Sequence, residues 1–338
     1  MSSTTEALAG APVLLAVATA ALISALVTWT SRPLLQRYAL ARPNARSSHR
    51  IPTPQGAGIA VIAATLIVAS FWAVWANVAI PPVLIGATVL IALVGFADDI
   101  KSLPVIVRLV LQAACVGAVV FTAPETARIV TALPLALERG LIVLAGVWFV
   151  NLVNFMDGLD LMTVAEVVPV TAALLLLGML GDLSWPAALI AAALCGAMLG
   201  FAPFNRPVAR VFLGDVGSLP IGLLLGWCLL ELAFRGQPAA ALLLPAYYLA
   251  DSTITLFRRI IRREPFWSAH RTHFYQRATD NGFTVKRAVG EAFALNLVLA
   301  LLAIATVRAG STTITIVSLL AGAGAVGFVL RRFSRPQG

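Results

Sequence analysis

Asn151, Asn154, Asp157 and Asp160 recur at intervals of three in the stretch NLVNFMDGLDLM, residues 151–162, between two hydrophobic runs. A helical or near-helical turn would line all four along one side, a row suited to oxygen coordination of a hard divalent ion. Hydrogen-bonded packing between membrane helices is the other use of the same side chains. A second acidic set, Asp98 and Asp99 in FADDIKSLPVIVRL, places two carboxylates side by side. They repel one another and are costly to desolvate, so they imply a cation, a helix cap or a working role. Lys101 and Arg108 are seven residues apart, close to two helical turns, and that spacing predicts a shared face where an anion could sit beside the carboxylates.

Two further loops add to this set. In FNRPVARVFLGDVGSLPIG, residues 204–222, Asp215 opens a hydrophobic run. A helix N-terminus there would offer N–H groups to a phosphate while Asp215 holds a divalent ion against it, or Asp215 could simply cap the helix. In RRIIRREPFWSAHRTHFYQR, which starts at Arg258, the residues His270, Arg271 and His273, with Arg277, form a cationic set interleaved with Trp267, Phe274 and Tyr275. No cysteine accompanies the histidines and the arginines would repel a metal, so an anion is the expected guest. The rings could seat the loop in the interface or stack on a base. The stretch RPNARSSHRIPTPQGAG, residues 42–58, reads as an ordered basic loop whose prolines oppose helix. Asp251 lies inside a hydrophobic run, either as a functional carboxylate or as a partner of Arg258 or of a Ser or Thr. Clustered Asp and Asn for a hard ion, with Arg, His and Lys for several negative charges, are together satisfied by Mg²⁺ and a diphosphate.

The elements that must position these residues are membrane helices. Of 338 residues, 60% are hydrophobic and 12% charged, with a mean hydropathy of +0.93, which places the chain in lipid. Eleven apolar stretches can span the bilayer as helices, near 8–30, 58–79, 81–97, 105–123, 140–153, 164–181, 186–202, 217–234, 240–257, 289–307 and 311–330. If they alternate, the loops near 31–57, 97–108, 152–163, 203–216 and 258–288 and the C-terminus share one side and carry 20 of the 24 Lys and Arg residues. The positive-inside rule makes that side cytoplasmic and puts the N-terminus outside. The first stretch has no basic residue before Arg32 and reads as a retained helix, not a signal peptide. Cys115, Cys195 and Cys228 lie inside spans without CxxC spacing, so buried free thiols are expected. The chain thus reads as one all-α integral membrane domain over residues 1–338, with a working cytoplasmic surface.

ADDIKSL, NFMDGLDL, VFLGDVGS and HRTHFYQR, in this order and each in a predicted cytoplasmic loop, resemble the motifs of the polyprenyl-phosphate N-acetylhexosamine-1-phosphate transferases. The first loop is most similar to the branch that initiates O-antigen. The resemblance implies that a polyprenyl phosphate, undecaprenyl phosphate in bacteria, attacks the β-phosphorus of a UDP-N-acetylhexosamine, giving polyprenyl-diphospho-sugar and UMP. It implies residence in the bacterial inner membrane, Mg²⁺ with Mn²⁺ as a substitute, no nucleic acid partner, and an assembly for which a homodimer is open. By matching position, Asn154 and Asp215 would be Mg²⁺ ligands, and Asp98 and Asp99 would act at the attacking phosphate. Asp157 and Asp160 would hold the nucleotide or support the metal. Lys101, Arg108, Asn151, His270, Arg271 and His273 would bind the substrates. A phosphate monoester is mostly ionised at pH 7, so Asp98 and Asp99 are expected to position it more than to deprotonate it. Leu161 stands where many members carry glycine, which puts the local turn in question. A transporter, with midplane charges in repeated halves, and an inactive lipid-binding scaffold are the alternatives; charges confined to one face disfavour the first.

Overall fold

The computed structural model describes residues 3–41, 52–264 and 270–337. In chain order the helices are α1 (Ser3–Tyr38), α2 (Gly58–Trp75), α3 (Pro82–Ile100), α4 (Val105–Phe121), α5 (Leu135–Met156), α6 (Met162–Met179), α7 (Trp185–Phe201), α8 (Asp215–Phe234), α9 (Pro238–Leu243), α10 (Ala246–Ile261), α11 (Phe274–Asp280), α12 (Val285–Ala309) and α13 (Thr312–Phe333). A two-residue strand, β1 (Leu40–Ala41), pairs antiparallel with β2 (Thr53–Pro54). The protein is a polytopic all-α membrane bundle.

Among the described residues nine helices are long and apolar enough to cross a membrane: α1 from Val13, α2, α3, α5, α6, α7, α8, α12 and α13. α4 is apolar but shorter. The expected count of eleven differs at 240–257, which is broken into α9 and α10 at Leu244 and Pro245, where proline has no amide to continue the ladder. α10 is also two-sided. It buries Tyr247, Tyr248, Asp251, Ser252, Thr255 and Arg259 and exposes Ile254, Phe257, Ile260 and Ile261, a polar inner face that a lipid-spanning helix could not present outward.

Burial orders the bundle. The most hydrophobic window of α8 is 83% buried and that of α7 78%, against 28% for α1 and α13, so the former are central and the latter face lipid. α3 and α5 pack on α8, α1 lies along α7 and α2, and α12 joins α6 to α13. Lipid is as apolar as these side chains, so close backbone approach and interhelical hydrogen bonds must hold the contacts. Ser24 Oγ donates to Ala197 O at 2.8 Å across α1 and α7, and the Asn296 amide donates to Glu166 Oε2 at 2.7 Å across α12 and α6. One such close approach lies where α2 meets α8. A Cβ on Gly58 would stand 2.3 Å from the Gly217 backbone, so only glycine permits the crossing. Cys115, Cys195 and Cys228 are free and buried.

At the end opposite the motif loops, the segment between α4 and α5 is folded, not plain. Buried Glu138 accepts from the Ile129 and Val130 amides at 2.7 and 2.9 Å and from Arg128. Buried Arg139 donates to Pro124 O at 2.7 Å and Ala127 O at 2.9 Å.

Candidate functional site

The motif loops meet at one end of the bundle, and the start of α8 is their hub. The chain before it is held as an added strand: Phe212 N donates to Pro54 O at 2.8 Å, and Gly56 N and Ala57 N donate back to Phe212 O. This is the work of residues 52–58 in the basic loop; residues 42–51, and Trp267, lie outside the described residues. Gln55 then reaches the carboxylate of Asp99 with its side-chain amide.

Asp99, at the end of α3, takes the Asp215 amide on Oδ1 at 2.9 Å and the Val216 amide on Oδ2 at 3.1 Å. It caps α8 from 116 residues away. The Gly217 and Ser218 amides turn to Gly214 O, both at 3.0 Å. The expectation that the α8 N-terminus offers its amides to phosphate is therefore corrected, because a protein carboxylate already holds the positive end of the helix. Asp99 in this geometry frames the start of α8.

Asp98 faces the other way. Its Oδ2 lies 2.6 Å from Arg108 on α4, and its Oδ1 accepts from Leu103 N at 2.6 Å. Arg108 also stands 3.6 Å from Asp215 Oδ2. Asn154 on α5 donates to Asp215 Oδ1 at 2.7 Å and to Ser218 Oγ at 2.9 Å. A continuous chain thus runs Asp98, Arg108, Asp215, Asn154, Ser218 across four helices, with Asp99 beneath it. Among the described residues, three carboxylates against one guanidinium leave the corner short of positive charge. Lys101 does not supply it: α3 ends at Ile100 and α4 starts after Pro104, so Lys101 and Arg108 share no helical face, and Lys101 is exposed.

The row expected along one side of 151–160 is not formed. α5 stops at Met156, and the four side chains fan out to four elements. Asn151 donates to Gln112 of α4 at 2.6 Å and to Val147 O at 2.8 Å, bonds that serve helix packing. Asn154 alone of the four joins Asp215. Partly buried Asp157 accepts from Thr163. Burial, and then the charges of Asp99 and Asp160, push its carboxyl up to about 7 against the pull of the Thr163 bond. Asp160 is 5% exposed and takes the Ala209 amide at 3.0 Å, bracing the segment that leads into α8. Leu161, at the glycine position, adopts the left-handed φ of 63° that glycine would take freely. The turn survives, its amide fixed to Asn205 Oδ1 at 2.7 Å, and Asn205 in turn donates to Val211 O at 3.0 Å.

The cationic set docks against this turn. A Cβ on Gly158 would lie 2.1 Å from the Tyr275 hydroxyl, which donates to Phe155 O at 2.9 Å, so glycine is required for α11 to approach. Asp251 is fully buried and resolved as a cap: it accepts the Phe274 and Tyr275 amides, each at 3.0 Å, and lies 3.1 Å from His273 Nδ1. Of its expected partners, a threonine is present, Thr255 Oγ1 donating at 3.3 Å, while Arg258 instead stacks on the Phe274 ring at 4.6 Å. His273 is 3% exposed, with Nδ1 3.1 Å from Asp251. His270 stacks on it with ring centroids 5.0 Å apart. Arg271 is drawn to Thr279 at 3.1 Å and Asp280 at 3.2 Å. Residues the sequence reading passed over, Gln55, Gln112 and Thr163, carry three of these bonds; the signal available was a polar side chain inside or beside an apolar run.

Among the described residues no three carboxylate, histidine or cysteine side chains gather as a metal cluster. Mg²⁺ commonly takes one or two carboxylates and completes its shell with water and substrate phosphate. Asp215 fits that mode. Its side chain is 25% exposed, and its Oδ2 has no cation nearer than Arg108. Asn154 fits if its amide rotates to present oxygen, since its nitrogen makes the present bonds.

These features define a polytopic helical membrane protein with an acidic, amide-lined site at one end of its bundle. Residues 81–233 match the model of glycosyl transferase family 4. The chain is 28% identical to a decaprenyl-phosphate N-acetylglucosaminephosphotransferase of Mycolicibacterium smegmatis over 312 residues, covering 80% of this chain and 76% of that protein. It is 27% identical to the Mycobacterium leprae protein of the same name over 319 residues, 80% of this chain and 78% of that one. A phospho-N-acetylmuramoyl-pentapeptide-transferase of Symbiobacterium thermophilum is 33% identical over 205 residues, 54% of this chain and 61% of its own length. The family-model match and these relatives, all named as sugar-phosphate transferases, support the resemblance of the chain to the polyprenyl-phosphate N-acetylhexosamine-1-phosphate transferases.

Proposed function

We propose that the protein transfers N-acetylhexosamine 1-phosphate from a UDP-sugar to a polyprenyl phosphate at this end of the bundle. An oxygen of the lipid phosphate forms a bond to the β-phosphorus of the donor. The bond from that phosphorus to the bridging oxygen breaks, and UMP leaves with the oxygen. The single observation that carries the reading is the chain from Asp98 through Arg108 and Asp215 to Asn154. With Asp99 at the Asp215 amide, it places one guanidinium among three carboxylates of the described residues, a set that binds phosphate only with added positive charge.

Mg²⁺, with Mn²⁺ as substitute, would be held by Asp215 and Asn154 and would supply that charge where negative charge accumulates on the transferring group. The protein's own groups do the rest. Arg108, already within reach of Asp98 and Asp215, turns to a phosphate oxygen; Asp98, released from it, orients the lipid phosphate. Asp99 keeps the α8 terminus, and hence Asp215, in register. His270, stacked on a fixed His273, is the member of the cationic set best placed to meet the diphosphate.

Similarity over 80% of the chain to proteins named for decaprenyl phosphate and N-acetylglucosamine supports N-acetylglucosamine as the sugar over a muramoyl pentapeptide. The reaction would begin a lipid-linked cell-surface polysaccharide, O-antigen in the reading of the first loop. The site end would face the cytoplasm and the N-terminus the outside, because 20 of 24 basic residues fall on the loops of that end. The test is to supply purified protein with undecaprenyl phosphate and a panel of UDP-N-acetylhexosamines and to identify the lipid product by mass. A polyprenyl-diphospho-N-acetylglucosamine is expected; no lipid product with any donor would overturn the reading.

A further inference from the structure

A second charged feature lies at the same end but away from this site. Phe328, Arg331 and Arg332 lie near the foot of α13, at intervals of three and one, and Arg335 follows two residues after its end. Together with Arg287 and Phe283 at the foot of α12 they line an open cavity of about 620 Å³. The cavity is built, not incidental. Glu291 holds Arg332 by two bonds of 2.7 and 3.1 Å and Arg287 by one of 3.2 Å. Both guanidiniums stack on Phe283, at 5.4 and 5.3 Å. The C-terminal tail is tied back over the site, with Gln337 N donating to Asn281 O at 2.9 Å and its side chain accepting from Arg287 at 2.9 Å. Four guanidiniums face one carboxylate, and Arg331 and Arg335 are exposed. Above them α13 presents Leu320 and Phe328, 69% and 67% exposed, to lipid.

We propose that this cavity binds the phosphate headgroup of an anionic lipid, with Arg331 and Arg335 on the phosphate and an acyl chain along Phe328 and Leu320. An apolar stripe ending in clustered arginines at the boundary of a lipid-facing helix matches such a ligand in both its parts, whereas a soluble anion would use only the arginines. The inference is independent of the proposed transferase activity.

The test is lipid retention by the full-length protein in native mass spectrometry, titrated with phosphatidylglycerol, with phosphatidylethanolamine and with inorganic phosphate. The Arg331→Ala, Arg335→Ala double variant is compared with a charge-matched Arg235→Ala, Arg308→Ala variant at the opposite end. Each arginine contributes about fivefold near an anionic headgroup, so the double variant should bind phosphatidylglycerol about thirtyfold more weakly. The control should bind as the unaltered protein does, and phosphatidylethanolamine should bind poorly to all three. Equal retention by the double variant, equal retention of phosphatidylethanolamine, or displacement of the lipid by millimolar phosphate, which would mark a soluble-anion site, would each overturn the proposal. Thermal melting of both variants checks that they fold, and Arg331→Lys with Arg335→Lys should keep most of the binding.

Discussion

Replacing Asp99 with asparagine separates framework from chemistry at the centre of the site. Asp99 takes two backbone amides at 2.9 and 3.1 Å and the Gln55 side chain besides. Hydrogen bonds to a charged acceptor contribute about 1.5–3 kcal/mol each, and an asparagine keeps one oxygen while turning an NH₂ toward the other amide. The variant should therefore lose about 2–4 kcal/mol of stability, mostly from one forfeited cap bond and one donor left facing a donor. Asp215 would shift with the loosened terminus and weaken its 2.7 Å bond to Asn154, so activity should fall with stability. Asp98→Asn makes the contrast: it loosens one ion pair near the surface of the site and should cost activity with a much smaller fall in melting temperature. The assay is thermal unfolding in detergent beside the UMP-release rate, for both variants. If Asp99→Asn melted like the unaltered protein while activity vanished, the capping role would be refuted and a direct role at the phosphate would replace it.

Gly158→Ala should cost about 1–3 kcal/mol by driving Tyr275 from Phe155 O, and Tyr275→Phe should be less harmful in that background than alone; strict additivity in melting experiments would refute the contact. Asn151→Ala should lower stability by about 1 kcal/mol through the lost bond to Gln112 while leaving KM for the nucleotide sugar unchanged. A raised KM at unaltered melting temperature would make Asn151 a substrate ligand. Asp157 has a folded pKa raised from its ordinary carboxylate value to about 7, so the folded chain holds this proton more tightly than the unfolded one, and stability falls as pH rises through that window. Asp157→Asn keeps an oxygen for Thr163 and cannot ionise. Its melting temperature, relative to the unaltered protein, should climb between pH 5 and pH 8; a flat difference would contradict the shift.

Hydrophobic length made the bundle legible, since each apolar run long enough for a bilayer became a helix except one. That one, 240–257, carries Tyr247, Tyr248, Asp251 and Ser252 on the face that turns inward, and a sum over the window cannot see which face a polar residue occupies. The site was legible as a set of loops but not as a set of contacts. Asn154 and Asp215 were readable because their types suit one ion, and they meet at 2.7 Å. The helix-period reading of 151–160 failed because α5 ends inside it, and a helix end redirects each side chain that follows. Asp99 was read as a cap or a working carboxylate and Asp251 as a working or paired one; each caps a helix, Asp99 capping α8 and not the helix that follows it. The partners are 116 and 23 or 24 residues away, a relation set by tertiary packing that local spacing does not encode.

The most direct measurement is UMP release by purified protein given undecaprenyl phosphate and UDP-N-acetylglucosamine, with Mg²⁺ or with chelator, for the unaltered chain and for Asp215→Asn. Lipid-dependent release that chelator abolishes, and that falls by on the order of a hundredfold or more in the variant, is the predicted result. Release that persists at full rate in Asp215→Asn, or that is indifferent to chelator, would contradict the assignment of this corner as the metal and phosphate site.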